Sequence, residues 1–261
     1  MELVTMTDRE YHSLPHLSAS KIKLLLESPR EFKEKTWGDR PSSAMTVGTM
    51  VHMELLEPHK RHDDYVHVVD VKTEKTKRFE SAFNDPSNVD KLVIKKPDYD
   101  EAMEICRAAQ DRPEVLRILA DGVTERAIIG EIPGIGPVKC KIDLLKLDTG
   151  DIIDLKTAAV RGSIRPDKCI LDYNYHIQQA FYRMMLKEIG LGDVNFTFLF
   201  LFKNAPIYDR LICSLDADFQ AYADKELQKL LDIFKRCQDT DTWGGRFSEE
   251  EIQIKLPKWL N

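Results

Sequence analysis

Two carboxylates and an ammonium stand close together in the stretch VKCKIDLLKLDTGDIIDLKT, residues 138–157. Asp143 sits among apolar neighbours, Asp154 follows 11 residues later, and Lys156 comes two residues after that. Charged side chains seldom lie inside a sheet unless they are paired or ligated. With a turn centred near Thr149 and Gly150, Asp143 and Asp154 would lie nearly across from each other on adjacent strands. Like charges that close repel unless a cation lies between them or one is protonated. Hard oxygen ligands on a rigid sheet suit Mg²⁺ or Mn²⁺. Lys156 shares the face of Asp154 because strand side chains alternate. An ammonium there can hold or deprotonate a water nucleophile and offset charge developing at phosphorus. The pattern reads as metal-dependent phosphodiester hydrolysis. The competing reading is an Asp–Lys salt bridge on an exposed sheet edge, and D-x-K alone is a weak signal.

The elements that must position these groups form an α/β pattern. LSASKIKLLLESPREF predicts a helix capped by Ser18, with Ile22, Leu25 and Leu26 on one face. SSAMTVGTMVHMELLEP predicts a second, with Val47, Val51 and Leu55 at helical spacing and Pro58 as its stop. Gly48 within it costs about 1 kcal/mol relative to alanine, so close approach by another backbone or by DNA would justify it. A short strand is expected near 65–71, and the polar segment 70–88 is expected to be the most mobile. Helices are predicted over 98–110 and 113–120, then strands over 124–132, 138–147 and 152–157. One long helix is expected over 166–189. NFTFLFLFKN reads as an interior strand and PIYDRLICSL as its neighbour, with a final helix over 218–237. The simplest account is a single α/β domain with helices packed on a mixed sheet.

The motifs VGTMVHMELLEP, KCKIDLL, IIDLKT and YNYHIQQAFYRMMLKEIG stand in an order and spacing that resembles the nuclease domain of RecE-type exonuclease VIII. That family belongs to the RecB-like branch of the PD-(D/E)xK nuclease superfamily. LSASKIKLLLESPREF near the start and LPKWL near the end extend the likeness to nearly the whole chain. The resemblance implies a PD-(D/E)xK fold over 1–261, with N-terminal helices in 1–60 and a catalytic core in 124–204. It makes Asp143 and Asp154 metal-binding carboxylates, Lys156 the catalytic lysine, and His52 the helix histidine completing the metal site. The backbone carbonyl of Leu155 is a further implied ligand. Gln178 and Tyr182 match a Q-x-x-x-Y motif and share one helix face. There Gln178 is expected to orient Lys156 or the attacking water, and Tyr182 to contact a phosphate. The family has proline before the first aspartate where this chain has Ile142, a change that removes no ligand. Glu125 is a weaker candidate for an outer carboxylate, read here as a surface residue.

What the resemblance implies functionally is an ATP-independent 5′-to-3′ exonuclease on double-stranded DNA ends. It would use Mg²⁺, replaceable by Mn²⁺, with two ions per site. It would leave 3′ single-stranded tails for a RecT-like single-strand annealing protein, from a ring-shaped homotetramer in the cytoplasm of a host carrying a phage or prophage. Arg161, Arg165 and Lys168, following the catalytic strand, are the expected DNA-backbone contacts. Lys72, Lys75, Lys77 and Arg78 form a second basic group. Trp259 in the terminal IKLPKWLN is a candidate subunit contact.

Composition bounds these readings. Over 261 residues, 43% apolar and 31% charged content describe an ordinary globular chain. No run approaches the roughly 20 apolar residues of a membrane span. Five scattered cysteines without a C-x-x-C pair lack the spacing of a zinc ribbon or iron–sulfur cluster. There is no P-loop motif for ATP. The formal charge of −6 opposes nonspecific DNA binding, although metal-binding carboxylates contribute to it. Two alternatives stay open: a RecB- or Cas4-like single-strand nuclease, and a catalytically silent DNA-binding scaffold of the same fold.

Overall fold

A computed structural model describes residues 1–35, 41–60, 62–159, 165–191, 194–247 and 256. The chain opens with β1 (Glu2–Val4), α1 (Asp8–Ser13), α2 (Ala19–Ile22) with a 3₁₀ turn at Lys23–Leu26, and α3 (Pro29–Glu34). Next come α4 (Ser43–Leu56), α5 (His62–Tyr65), β2 (Val66–Val69), α6 (Lys77–Phe83) and β3 (Leu92–Lys95). The helices α7 (Lys96–Gln110) and α8 (Pro113–Leu119) lead into β4 (Val123–Ile132), β5 (Gly136–Leu145) and β6 (Ile152–Ala158). The chain continues through α9 (Pro166–Asp172), α10 (Tyr175–Glu188), β7 (Phe196–Phe202), β8 (Arg210–Ser214) and α11 (Ala217–Thr240).

Six strands form one sheet in the order β1-β4-β5-β6-β7-β8. All neighbours are antiparallel except β6 and β7, which run parallel and are joined through α9 and α10. Alternation along β6 divides the core. Ile152 and Ala158 join Phe196, Phe198 and Phe200 of β7 in a layer covered by α10, α11 and the N-terminal helices. Ile153 and Leu155 join Leu199 and Leu201 in the opposite layer, against Val47, Met50 and Val51 of α4. By the same alternation Asp154 and Lys156 face α10.

Two ladders fail at one place. β5 and β6 pair only at Leu144↔Ile153 and Leu145↔Ile152. Continuing that register would set Asp143 opposite Asp154, as the sequence suggested, but the strands part there. The β4–β5 ladder likewise skips Glu125 and Asp143, between Arg126↔Ile142 and Thr124↔Leu144. Glu125 has a left-handed backbone, φ 51°. A non-glycine residue in that region costs about 1–2 kcal/mol, a strain that clusters at functional sites.

Several expectations change. The polar segment 70–88 is ordered in part: Thr76 caps α6 by accepting from the Phe79 N–H, and Phe79 is buried. Its polar residues lie on the surface of a helix that packs beside a two-stranded parallel sheet of β2 and β3. The expected long helix is two, because Asn174 adopts φ 53° and breaks the run between α9 and α10. The 3.6-residue pattern persists across a single left-handed residue, so apolar spacing alone does not reveal the break. The five cysteines are free thiols. Among the described residues no helix is long and apolar enough to cross a membrane.

Candidate active site

His52 comes to the sheet because α4 lies close on β6. A Cβ added at Gly48 would meet Thr157 Oγ1 at 3.2 Å, so the glycine one turn before His52 permits the approach. Strand β6, not DNA, is what the mid-helix glycine accommodates. His52 Nε2 then lies 2.9 Å from the Leu155 carbonyl oxygen. Its Nδ1 is 3.5 Å from Glu125 Oε1 and 3.8 Å from Asp143 Oδ1.

Asp143 fills the gap between the parted strands. Its Oδ2 accepts the Leu155 N–H at 2.7 Å, a bond that a β5 carbonyl would otherwise provide. Both backbone groups of Leu155 are thus met by site side chains, one by a carboxylate and one by an imidazole. The fully buried Ile142 beside Asp143 packs in the α10 layer, so the missing proline leaves the carboxylate in place.

Asp154 is 1% exposed and is held from two sides. Gln178 Nε2 of α10 donates to its Oδ1 at 2.8 Å, and Lys156 Nζ lies 2.6 Å from its Oδ2. Gln178 therefore orients the aspartate directly, rather than Lys156. Tyr182, one turn further on α10, is 9% exposed and packs edge-on against Phe196. The structure places its ring in the core under the carboxylates, not at a surface open to a phosphate. Arg165 pairs with Asp167 on the exposed start of α9, and Lys168 is exposed nearby. Arg161 and Trp259 lie outside the described residues.

Glu125 is the residue the sequence reading undervalued. Its side chain is 13% exposed and lies between His52 and Lys141, whose Nζ is 2.6 Å from Oε2. The left-handed residue within β4 turns it inward, and no periodic pattern could signal that. His52, Glu125 and Asp143 each offer a ligand atom within 4.8 Å of the others, a set that could hold a metal ion. Asp154 stands beside this set, engaged by Lys156 and Gln178.

The electrostatics match such a site. Burial opposes the imidazolium of His52, yet Asp143 and Glu125 outweigh it and raise the pKa. Burial likewise opposes charge on Glu125, but the hydrogen bond from His52 and the charge of Lys141 hold its pKa down. Asp143 is pushed up, chiefly by burial and then by Asp154 and Glu125, against the pull of His52 and Lys156. Lys156 is buried, which disfavours its charge, but Asp154 and Asp143 keep it protonated. Carboxylates crowded until one resists ionisation are the setting a cation relieves. Carboxylates, a carbonyl and one imidazole are the donor chemistry for Mg²⁺ or Mn²⁺. The residues fit a divalent ion.

Among curated proteins none matches this sequence. A solved protein described as a "putative exonuclease", from Eubacterium rectale, superposes with TM-score 0.67 over 98% of this chain and 97% of its own, at 15% identity. At that identity the likeness concerns the fold. The model of a PDDEXK-like domain of unknown function (DUF3799) matches residues 18–254. The chain therefore belongs to this PDDEXK-like family, with the mixed α/β fold that its likeness to RecE-type nuclease domains implied.

Proposed function

We propose that the protein is a divalent-metal-dependent, ATP-independent exonuclease that digests the 5′-ended strand of duplex DNA and leaves 3′ single-stranded tails. The observation that carries hydrolysis is the meeting of His52, Glu125 and Asp143 beside the buried Asp154–Lys156 pair in a PDDEXK-like chain. The structural relative's description supports an exonuclease. Polarity and the supply of tails to a single-strand annealing protein rest on the RecE-like motifs.

In this reading His52, Glu125, Asp143 and the Leu155 carbonyl would hold a divalent ion, and Asp154 would be available to a second. Bound Mg²⁺ or Mn²⁺ would supply polarisation of the scissile phosphate and a nucleophile at neutral pH. Lys156, protonated by its carboxylate neighbours, donates a hydrogen bond to water or a phosphate oxygen and offsets developing negative charge. Gln178 fixes the Asp154 carboxylate plane. Glu125 and Lys141 keep His52 facing the carboxylates.

Linear duplex labelled at the 5′ or the 3′ end, incubated with Mg²⁺ and no ATP, tests the proposal. Early release of the 5′ label with the 3′ label persisting on a shrinking strand is expected, and Asp154→Ala should abolish the release and the shortening. Preference for single strands would favour the RecB- or Cas4-like alternative. Undiminished cleavage by Asp154→Ala would overturn the assignment of the site.

A further inference from the structure

The break between α9 and α10 sets an aromatic pair at the side of the catalytic lysine. Tyr173 closes α9, Asn174 turns the chain in the left-handed region, and Tyr175 opens α10. The two tyrosine rings stack, with centroids 5.5 Å apart and planes 27° from parallel. Lys156 Nζ lies 5.1 Å from the centroid of Tyr175. A second ammonium, Lys23 of the N-terminal 3₁₀ turn, lies 5.5 Å from the same centroid. Lys23 Nζ also reaches the Tyr173 carbonyl at 3.5 Å. Tyr175 is half-buried against Phe198 and Phe200 of β7, whereas Tyr173 is 55% exposed. The run from Asp154 outward is thus carboxylate, ammonium, fixed ring and exposed ring, with a second ammonium over the fixed ring and against the backbone carbonyl of Tyr173.

Packing does not account for the exposure of the Tyr173 ring. An exposed tyrosine stacked on a fixed ring presents a flat apolar surface to solvent, and its geometry is set in advance. Among the described residues Lys23 forms no ion pair with a carboxylate. Burial and the nearby charge of Lys156 both disfavour its protonation, with Asp154 opposing them, so a bound anion would stabilise its charged form. A flat ring and a cation side by side match the two parts of a nucleotide. Base–aromatic stacking is sequence-tolerant because every base has a π-face, and phosphate contacts are equally indifferent to sequence.

We infer that Tyr173, backed by Tyr175, and Lys23 form a nucleotide-holding station beside the scissile position: an unpaired base stacks on Tyr173 while Lys23 contacts its phosphate. This deepens the nuclease reading and rests on it. The station holds a base freed from its complement, so it keeps the strand being hydrolysed in line with Lys156 and makes the unstacked end the bound form. Tyr173 and Lys23 are positioning residues, while Lys156 performs the chemistry.

The test uses full-length protein in Ca²⁺ and a duplex carrying 2-aminopurine at its 5′ end, or an abasic residue there. Wild type should quench the 2-aminopurine emission, and Tyr173→Phe should do the same. Tyr173→Ala should lose the quench and bind the end roughly 5- to 150-fold more weakly, the range of one base–aromatic stack. An abasic end should weaken wild type by a similar factor and leave Tyr173→Ala almost unaffected. Lys23→Gln should lower the slope of log affinity against log salt by about 0.7, one phosphate contact on a single strand. Loss of packing alone would move the melting temperature and not these readouts. If Tyr173→Ala matches wild type on both intact and abasic ends, the station is refuted, and cleavage by wild type in a parallel Mg²⁺ assay leaves the nuclease standing. If wild type shows the base-dependent binding but cleaves nothing with Mg²⁺ or Mn²⁺, the nuclease reading fails and the nucleotide site remains. A wild type that does not bind DNA ends overturns both.

Discussion

Removing the Asp143 carboxylate has two effects, because Oδ1 faces His52 while Oδ2 accepts the Leu155 N–H. Asp143→Ala leaves that buried amide without a partner, which costs about 1–3 kcal/mol. Asp143→Asn keeps an acceptor oxygen and loses the charge. Thermal melts should show the alanine variant several degrees less stable than the asparagine variant, while neither cleaves DNA. Equal melting temperatures would show that the bond to Leu155 carries no weight. Glu125→Gln tests the residue that the sequence underplayed. Calorimetric titration with Mn²⁺ should show affinity falling about ten-fold or more, and unchanged affinity would exclude Glu125 from the metal site. Asp143, Asp154 and Lys156 are legible as a cluster from strand alternation and the turn between them, whereas His52 enters only through the resemblance to RecE-type nuclease domains. Glu125 is not legible, since its inward turn depends on one left-handed residue.

Fold class and most elements could be read from hydrophobic period, caps and turn residues, including the strands that carry the carboxylates. What spacing could not give were departures from regular geometry: the parting of β5 from β6, the short β2–β3 sheet, and the elbow at Asn174. Each is fixed by tertiary contacts or by one backbone dihedral. The elbow makes its own prediction. Asn174→Gly should be tolerated, because glycine adopts the left-handed region readily. Asn174→Val should cost about 1–2 kcal/mol and displace Tyr173. Differential scanning calorimetry and DNA-end binding should then decline together in the valine variant alone. At Gly48 a methyl would gain about 1 kcal/mol of helix propensity and crowd Thr157. Gly48→Ala should therefore melt near wild type while cleaving several-fold more slowly, as His52 shifts. Wild-type cleavage would show that α4 has room to spare.

For the whole molecule the difficulty is retention on DNA. A chain with formal charge −6 has little long-range attraction for a polyanion, yet the proposed exonuclease would have to stay on one duplex through repeated cuts to be processive. A closed ring of subunits answers this by topology, since the product leaves only by sliding off an end. Light scattering should give a mass four times that of the 30.1 kDa chain, and covalently closed circles should resist digestion. A monomer that remains fully processive would refute the ring. Efficient cutting of closed circles would make the enzyme an endonuclease.

The parted strands also give the site a built-in reporter. In most sheets an interior amide is protected from solvent exchange by the backbone of a neighbouring strand. The Leu155 amide is protected by a side chain that is itself part of the site. Its deuterium uptake therefore reads the charge and position of one carboxylate, with no substrate and no turnover. Loading the site with Mn²⁺ or Mg²⁺ should change the exchange of this amide before it changes those of Ile153 or Thr157 on the same strand. The candidate site is held together by the bonds that a bound cation would alter, so occupancy should register in local exchange.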